Sequence, residues 1–137
     1  MRLSLVTLVF AVGVWQTAAD TCDVQGYAKR DGVPDMSGLP KVRVDLIDVG
    51  LLYDTTCGTT TADKTGYFHI VCSPTFLRWD AKQELRVYQR FDNGQGCRRM
   101  VYKGTNYIGR VEAHGNYPIH NDDESANDDM CPYEIYD

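Results

Sequence analysis

The stretch CGTTTADKTGYFHIVC, from Cys57 to Cys72, carries the clearest structural signal in the sequence. A two-residue turn centred on Lys64 and Thr65 would join two antiparallel strands, and the resulting register would place Cys57 opposite Cys72. A zinc site would need Cys or His ligands at short spacings, and His69 is the only further candidate ligand nearby. No neighbouring motif supplies the low-pKa setting of a reactive cysteine. We therefore predict that Cys57 and Cys72 form a disulfide.

The N-terminus predicts export. Arg2 precedes the apolar run LSLVTLVFAVGVW, and small residues follow at Thr17 and Ala19, which is the pattern of a signal peptide cleaved after Ala19. The run reaches only about two-thirds of the roughly 20 apolar residues that span a bilayer, so we expect no transmembrane segment. We predict a signal peptide over residues 1–19, one domain over residues 20–120 and an acidic C-terminal tail over residues 121–137.

All five cysteines follow residue 19. In a secreted protein they are expected to form two disulfides and to leave one thiol. Five cysteines taken as two pairs allow fifteen arrangements. The Cys57 to Cys72 bridge is the best supported of the possible pairs.

The charge distribution argues against a nucleic-acid partner. Without residues 1–19 the chain has 13 basic and 19 acidic side chains, and seven of the acids lie from Asn121 onward. A nucleic-acid-binding protein would instead present a basic face. The segment NDDESANDD lacks the spaced ligands and the central glycine of a calcium loop, so we interpret it as a solvated, mobile tail.

Strand patterns dominate the rest of the chain. Alternation of apolar and polar residues predicts an all-β antiparallel sandwich of about seven to eight strands. The predicted strands are Val24 to Ala28, Lys41 to Asp48, Gly66 to Val71, Glu84 to Phe91, Cys97 to Lys103 and Tyr107 to His114.

The order of these segments resembles the transthyretin-like family of secreted nematode proteins. The similarity covers Val24 to Ala113. Its most specific residues are Asp63, Gly66 and Phe68 of ADKTGYFHI, together with Cys97 and Arg98. The resemblance implies a transthyretin-like, immunoglobulin-like fold with two four-stranded sheets. It also implies that the strands flanking Lys64 belong to different sheets, so that a Cys57 to Cys72 bridge would brace an open edge.

The family's usual disulfide partners are missing from this sequence. Ala28, Lys29 and Arg30 replace the short cysteine-containing loop that follows the first strand. Cys97 would therefore pair elsewhere. We expect Cys131, because that bridge would tether the acidic tail, with Cys22 as the alternative partner.

The predicted function is binding, not catalysis. The three histidines are scattered, and the sequence has no catalytic, phosphate-binding or dinucleotide-binding motif, so we predict no enzyme activity, metal or cofactor. One alternative is a hydroxyisourate hydrolase-like enzyme on the same fold, although the chain ends in CPYEIYD and not in that enzyme's Tyr-Arg-Gly-Ser signature. The other alternative is a carrier of small apolar ligands.

An extracellular interaction module is the preferred interpretation, with an extracellular protein or a lipid surface as its partner. The family resemblance suggests a cell-surface bridging protein or a parasite effector. Exposed loops would carry specificity because a rigid sandwich presents its turns at two ends. Two loops are the first candidates: KRDGVPDMSGLP, residues 29–40, and RFDNGQG, residues 90–96. The candidate binding residues are Lys29, Arg30, Asp31 and Asp35 of the first loop, Arg90, Asp92 and Asn93 of the second, and the cationic pair Arg98 and Arg99.

Overall fold

The computed structural model describes residues 21–50, 52–73, 82–91, 96–104, 111–120 and 123–126. These residues form eight strands and contain no helix of the length and hydropathy needed to cross a bilayer. The strands are β1 (Cys22–Tyr27), β2 (Arg43–Val49), β3 (Thr55–Thr61), β4 (Tyr67–Cys72), β5 (Lys82–Gln89), β6 (Cys97–Lys103), β7 (His114–Asn116) and β8 (Glu124–Ala126).

The eight strands form two sheets. The small sheet has the order β4-β1-β7, and the large sheet has the order β3-β2-β5-β6-β8. Between these strands, β1 and β7 form the single parallel pair and the other ladders are antiparallel. The fold is therefore all-β and largely antiparallel, as the sequence predicts.

One apolar core lies between the two sheets. Phe68 and Ile70 of the small sheet share a buried cluster with Leu46 and Leu85 of the large sheet, and each of these four side chains is at most 3% exposed. Their burial on one face of each strand follows from the alternation of side chains along a β-strand. The two sheets thus pack face to face around shared apolar side chains, which is the arrangement of a β-sandwich.

The predicted disulfide between Cys57 and Cys72 is confirmed, with a Cα to Cα distance of 5.8 Å. The ladder that led to it is wrong. β3 pairs with β2 and β4 pairs with β1, so the two cysteines lie at the edges of different sheets. An ideal Cβ on Gly58 would lie 2.6 Å from Cγ2 of Ile70, so a residue without a side chain lets β3 approach β4 next to the bridge.

Two other expectations need correction. Of the strand predicted over residues 107–114, residues 107–110 lie outside the described residues. Residues 111–113 are not in a strand, and β7 begins at His114. The acidic segment is not wholly a solvated tail, because β8 pairs with β6 and the side chain of Asp123 is 1% exposed. The expected signal peptide lies outside the described residues.

Candidate binding groove

A groove of about 290 Å³ lies at one end of the sandwich, between the loop that precedes β2 and the turn that joins β3 to β4. Its floor is apolar, and the side chains of Met36, Val42 and Ala62 are buried there. Leu39 lies at the side of the groove and is 39% exposed. The lining residues are Met36, Ser37, Gly38, Leu39, Pro40, Lys41, Val42, Thr61, Ala62, Asp63 and Lys64. An apolar floor with a polar rim is typical of a binding pocket.

Backbone hydrogen bonds hold the two walls of the groove together. The amide of Met36 donates to the carbonyl of Lys64 at 2.8 Å, and the amide of Ala62 donates to the carbonyl of Val42 at 2.9 Å. The amide of Leu39 donates to the carbonyl of Met36 at 3.1 Å and closes a turn within the loop. The loop is therefore joined to the β3 to β4 turn on both sides of Leu39, so the groove is preformed.

Asp63 organises the turn at the rim. One of its carboxylate oxygens accepts hydrogen bonds from the amide of Thr65 at 2.8 Å, from the hydroxyl of Thr65 at 2.6 Å and from the amide of Tyr67 at 3.0 Å. The Thr65 hydroxyl is the main reason that the pKa of Asp63 is lowered. Gly66, with φ of +88°, supplies the left-handed backbone that the turn requires. The carboxylate thus serves to shape the rim.

Asp35 borders the groove and is fixed in a similar way. Its carboxylate accepts a hydrogen bond from the amide of Ser37 at 2.8 Å. Hydrogen bonds from Ser37 are the largest cause of a lowered pKa of Asp35, and the positive charge of Lys64 contributes further. Exposed Lys41 and Lys64 complete a rim of both charge signs.

Other predicted residues of the same loop do not line the groove. Arg30 forms a parallel β-bridge with Ile119, and the carbonyl of Lys29 accepts a hydrogen bond from the amide of Ile119 at 3.1 Å. Asp31 is exposed. Of the four predicted residues in this loop, Asp35 is the one that lies next to the groove.

Arg90 of the second predicted loop and the predicted pair Arg98 and Arg99 do not line the groove. Arg90 is 3% exposed, and Nη1 of Arg98 donates to the carbonyl of Asp123 at 3.0 Å. Nη2 of Arg99 lies 3.5 Å from Oε2 of Glu124. These three side chains lie where β5, β6 and β8 meet, while Asp92 and Asn93 lie outside the described residues.

The two predicted loops nevertheless lie at the same end of the sandwich. Arg43, the first residue of β2, pairs with Thr61 at the end of β3 and with Tyr88 near the end of β5. The loop before β2, the turn after β3 and the segment after β5 therefore emerge on one side. Sequence patterns could not show this, because the register of non-consecutive strands is a tertiary property.

A buried polar cluster near this end was not predicted. Nε2 of Gln89 donates to Oδ2 of Asp123 at 3.2 Å and to the carbonyl of His120 at 3.2 Å. The hydroxyl of Tyr102 donates to the carbonyl of Pro118, and burial, followed by the nearby Asp123 carboxylate, raises the pKa of Tyr102 to about 12. This cluster holds the segment before β8 against β5 and β6.

The histidines are separated, and the described residues contain no group of three or more His, Cys, Asp or Glu side chains that could hold a metal ion. Nε2 of His69 lies 2.7 Å from Oδ1 of Asp23 on the outer face of the small sheet. His69 and His114 flank Gln25 on opposite sides in the strand registers. His120 contributes its backbone carbonyl to the buried polar cluster.

Cys97 is disulfide-bonded, and Cys22 is a buried thiol. The predicted partner of Cys97, Cys131, is itself outside the described residues. The pairing of Cys97 with Cys131 therefore stays a prediction.

Neither a family model nor a curated protein matches this chain. Among solved structures, a 9R-lipoxygenase from Cyanothece PCC8801 aligns with 72% of this chain at 16% identity and a TM-score of 0.47. The aligned region is 16% of that lipoxygenase chain.

Proposed function

We propose that this chain is a secreted, non-catalytic binding module of the transthyretin-like type that recognises an extracellular protein through the groove at Leu39. The observation that carries the proposal is a preformed groove with an apolar floor and a rim of both charge signs. Such a groove fits an exposed apolar side chain of a partner, flanked by charged or polar groups.

The disulfide supports export, because such bonds persist in oxidising compartments. The placement of β3 and β4 at the edges of separate sheets agrees with what the resemblance to transthyretin-like proteins implies. The described strands form sheets of three and five strands, however, and not the two four-stranded sheets that the resemblance also implies. Asp35 and Asp63 at the groove already accept internal hydrogen bonds, which suits a structural role better than proton transfer.

A carrier of small apolar ligands is the second candidate. The groove volume of about 290 Å³ lies near the lower end of the roughly 300 to 1,000 Å³ that is usual for ligand pockets. A protein side chain and a small apolar molecule would use the same floor, so binding measurements must separate the two.

The test compares Leu39→Asp with Leu52→Asp. Leu39 borders the groove, whereas Leu52 is 93% exposed and follows the distant end of β2. Each protein would be immobilised and exposed to extracellular fluid, and retained proteins would be identified by mass spectrometry. We expect Leu39→Asp to lose a partner that the wild type and Leu52→Asp both retain.

Titration with the fluorescent probe 1-anilinonaphthalene-8-sulfonate separates the candidates. Saturable probe binding that disappears in Leu39→Asp, without any retained protein, would favour the small-ligand carrier. Equal retention of the same proteins by both variants would overturn the groove as the recognition site.

A further inference from the structure

Three of the five cysteines meet at one edge of the sandwich. The β1 to β4 register places Cys22 directly opposite Cys72, and Cys72 is bonded to Cys57 of β3. Residues directly opposite in an antiparallel ladder have Cα atoms about 4.5 to 5.5 Å apart. This range lies within the Cα separations of about 4.4 to 6.8 Å that disulfides span. Cys72 is thus within bonding reach of two different cysteines.

The side chains of Cys22 and Cys72 point to the same side of the small sheet. Opposite residues in a ladder share a face, and the next pair along the same face, Val24 and Ile70, lies in the core. Cys22 is a thiol with 6% exposure, so its sulfur lies on the inner side of the sheet. Cys57 reaches that side from the edge of the large sheet.

A buried polar pair from the large sheet positions the Cys22 sulfur. Nε2 of Gln83 donates to Sγ of Cys22 at 3.4 Å and to Oδ1 of Asp48 at 2.9 Å. Gln83 is 3% exposed and Asp48 is 1% exposed, so solvent does not compete for these bonds. A polar pair of this kind is costly to bury, and here it holds a thiol near a disulfide.

We propose that Cys22, Cys57 and Cys72 form an internal thiol–disulfide exchange site. The Cys22 sulfur, as thiolate, attacks Sγ of Cys72, a bond forms between these two sulfurs, and the bond between Cys72 and Cys57 breaks. Cys57 leaves as a thiolate and takes up the proton that Cys22 gave up. The number of disulfides is unchanged, so no external oxidant or reductant is required.

The exchange changes which elements are linked. The bridge between Cys57 and Cys72 joins the edges of the two sheets, whereas a bridge between Cys22 and Cys72 lies within the small sheet. Exchange would release the covalent link between β3 and β4 and move the reactive thiol from buried Cys22 to half-buried Cys57. The site would therefore couple the opening of this edge to the appearance of an accessible thiol.

The test is alkylation of the native full-length protein with N-ethylmaleimide in the absence of reductant. Acid quenching and a non-reducing peptide map would then locate the adduct and the disulfides. We expect the adduct on Cys57 together with a Cys22 to Cys72 disulfide. An adduct on Cys22 with the Cys57 to Cys72 bridge intact, or no adduct before denaturation, would overturn the proposal. Cys97, which is disulfide-bonded, is the internal control for unwanted reduction.

Two variants separate exchange from other routes to the same adduct. Cys22→Ala lacks the attacking sulfur, so the Cys57 adduct should be lost. If the adduct persists at the wild-type rate, Cys57 becomes reactive without Cys22 and the proposal fails. Cys57→Ser should contain a Cys22 to Cys72 disulfide after purification under air, and a persistent thiol at Cys72 would contradict the inferred reach. These outcomes are independent of whether the groove binds a partner.

Discussion

The outer faces of the two sheets differ in how they hold their charged side chains. On the small sheet, the side chains of His69 and Asp23, which contact each other at 2.7 Å, are 42% and 56% exposed. On the large sheet, Nε of Arg43 lies 2.7 Å from Oδ1 of Asp45, and the two side chains are 27% and 8% exposed, respectively. The hydroxyl of Thr59 on β3 also donates a hydrogen bond to Asp45. A pair of one basic and one acidic side chain is thus solvated on the small sheet and largely buried on the large sheet.

The contrast between the sheets shows when alternation of apolar and polar residues correctly predicts which side chains are buried. β4 alternates between buried and exposed positions because only its inner face is covered. In β2, five consecutive residues from Val44 to Asp48 are buried, including two carboxylates. Cross-strand partners make that burial possible, since a buried charge must be paired or hydrogen-bonded.

The largest effect on stability should come from a substitution in the apolar core between the two sheets. Phe68→Ala removes a side chain that is 2% exposed and that packs 5.7 Å from the Tyr117 ring. We expect the free energy of unfolding in urea to fall by about 3 to 5 kcal/mol. Val71→Ala on the outer face of the same strand, 58% exposed, is the control and should change it by about 0.5 kcal/mol or less. Similar losses for both variants would contradict the assignment of inner and outer faces on β4.

The next effect concerns the link between the two sheets. Cys72→Ala removes a bridge with a sequence separation of 15, which should cost about 3 kcal/mol on the loop-closure model. Urea unfolding of the variant would be compared with that of Cys22→Ala, which keeps the Cys57 to Cys72 bridge. Equal urea midpoints for the two variants would show that the bridge does not stabilise the sandwich.

A matched pair of carboxylate variants compares the outer faces directly. Asp45→Asn weakens hydrogen bonds to a mostly buried charge and should cost about 1.5 to 3 kcal/mol. Asp23→Asn disrupts an exposed pair and should cost about 0 to 1 kcal/mol. Urea unfolding at neutral pH would check both values. A larger loss for Asp23→Asn would reverse the contrast between the sheets.

The smallest effect on stability at neutral pH is expected from the ionisation of Tyr102, which lies on the inner face of the large sheet. Burial raises its pKa from 10.0 to about 12, with contributions from Asp123 and Tyr117. An unfolded tyrosine ionises near pH 10, whereas the folded one stays protonated until about pH 12. Its stabilising contribution is therefore fully present below pH 10 and is lost as pH rises from about 10 to 12.

Absorbance at 295 nm and urea unfolding at a series of alkaline pH values would measure this effect. Tyr102→Phe should remove the tyrosinate that forms near pH 12 and should reduce the loss of stability above pH 10. If Tyr102→Phe instead removes absorbance that develops near pH 10, this hydroxyl is not buried.

Some strands were readable from the sequence and others were not. Val24 to Ala28 and Glu84 to Phe91 overlap β1 and β5 because apolar residues alternate there with polar ones. The β3 sequence TTCGTTT has no apolar face other than Cys57, so alternation did not indicate a strand there, and only the proposed hairpin around Lys64 and Thr65 implied one. β8 has the sequence ESA, and it exists because the edge of β6 pairs with it.

The sequence predicted only one of the two segments that line the groove. The loop before β2 was predicted to be a binding segment, and Met36, Leu39 and Pro40 of that loop line the groove. The sequence did not indicate that the β3 to β4 turn forms the opposite wall. Of the predicted arginines, Arg98 and Arg99 lie instead with Asp123 and Glu124, because strand order brings the segment after residue 120 back to β6.

Side-chain alternation is a local property, and it predicted the all-β character of this protein correctly. The Cys57 to Cys72 bridge was also predicted correctly, but from a hairpin ladder that the structure does not contain. Only the tertiary structure decided that β3 and β4 belong to different sheets, that Cys22 lies opposite Cys72 and that two separate segments enclose the groove. These features depend on pairing between strands that are distant in the chain, and such pairing is selected by the packing of the whole core rather than by any one segment.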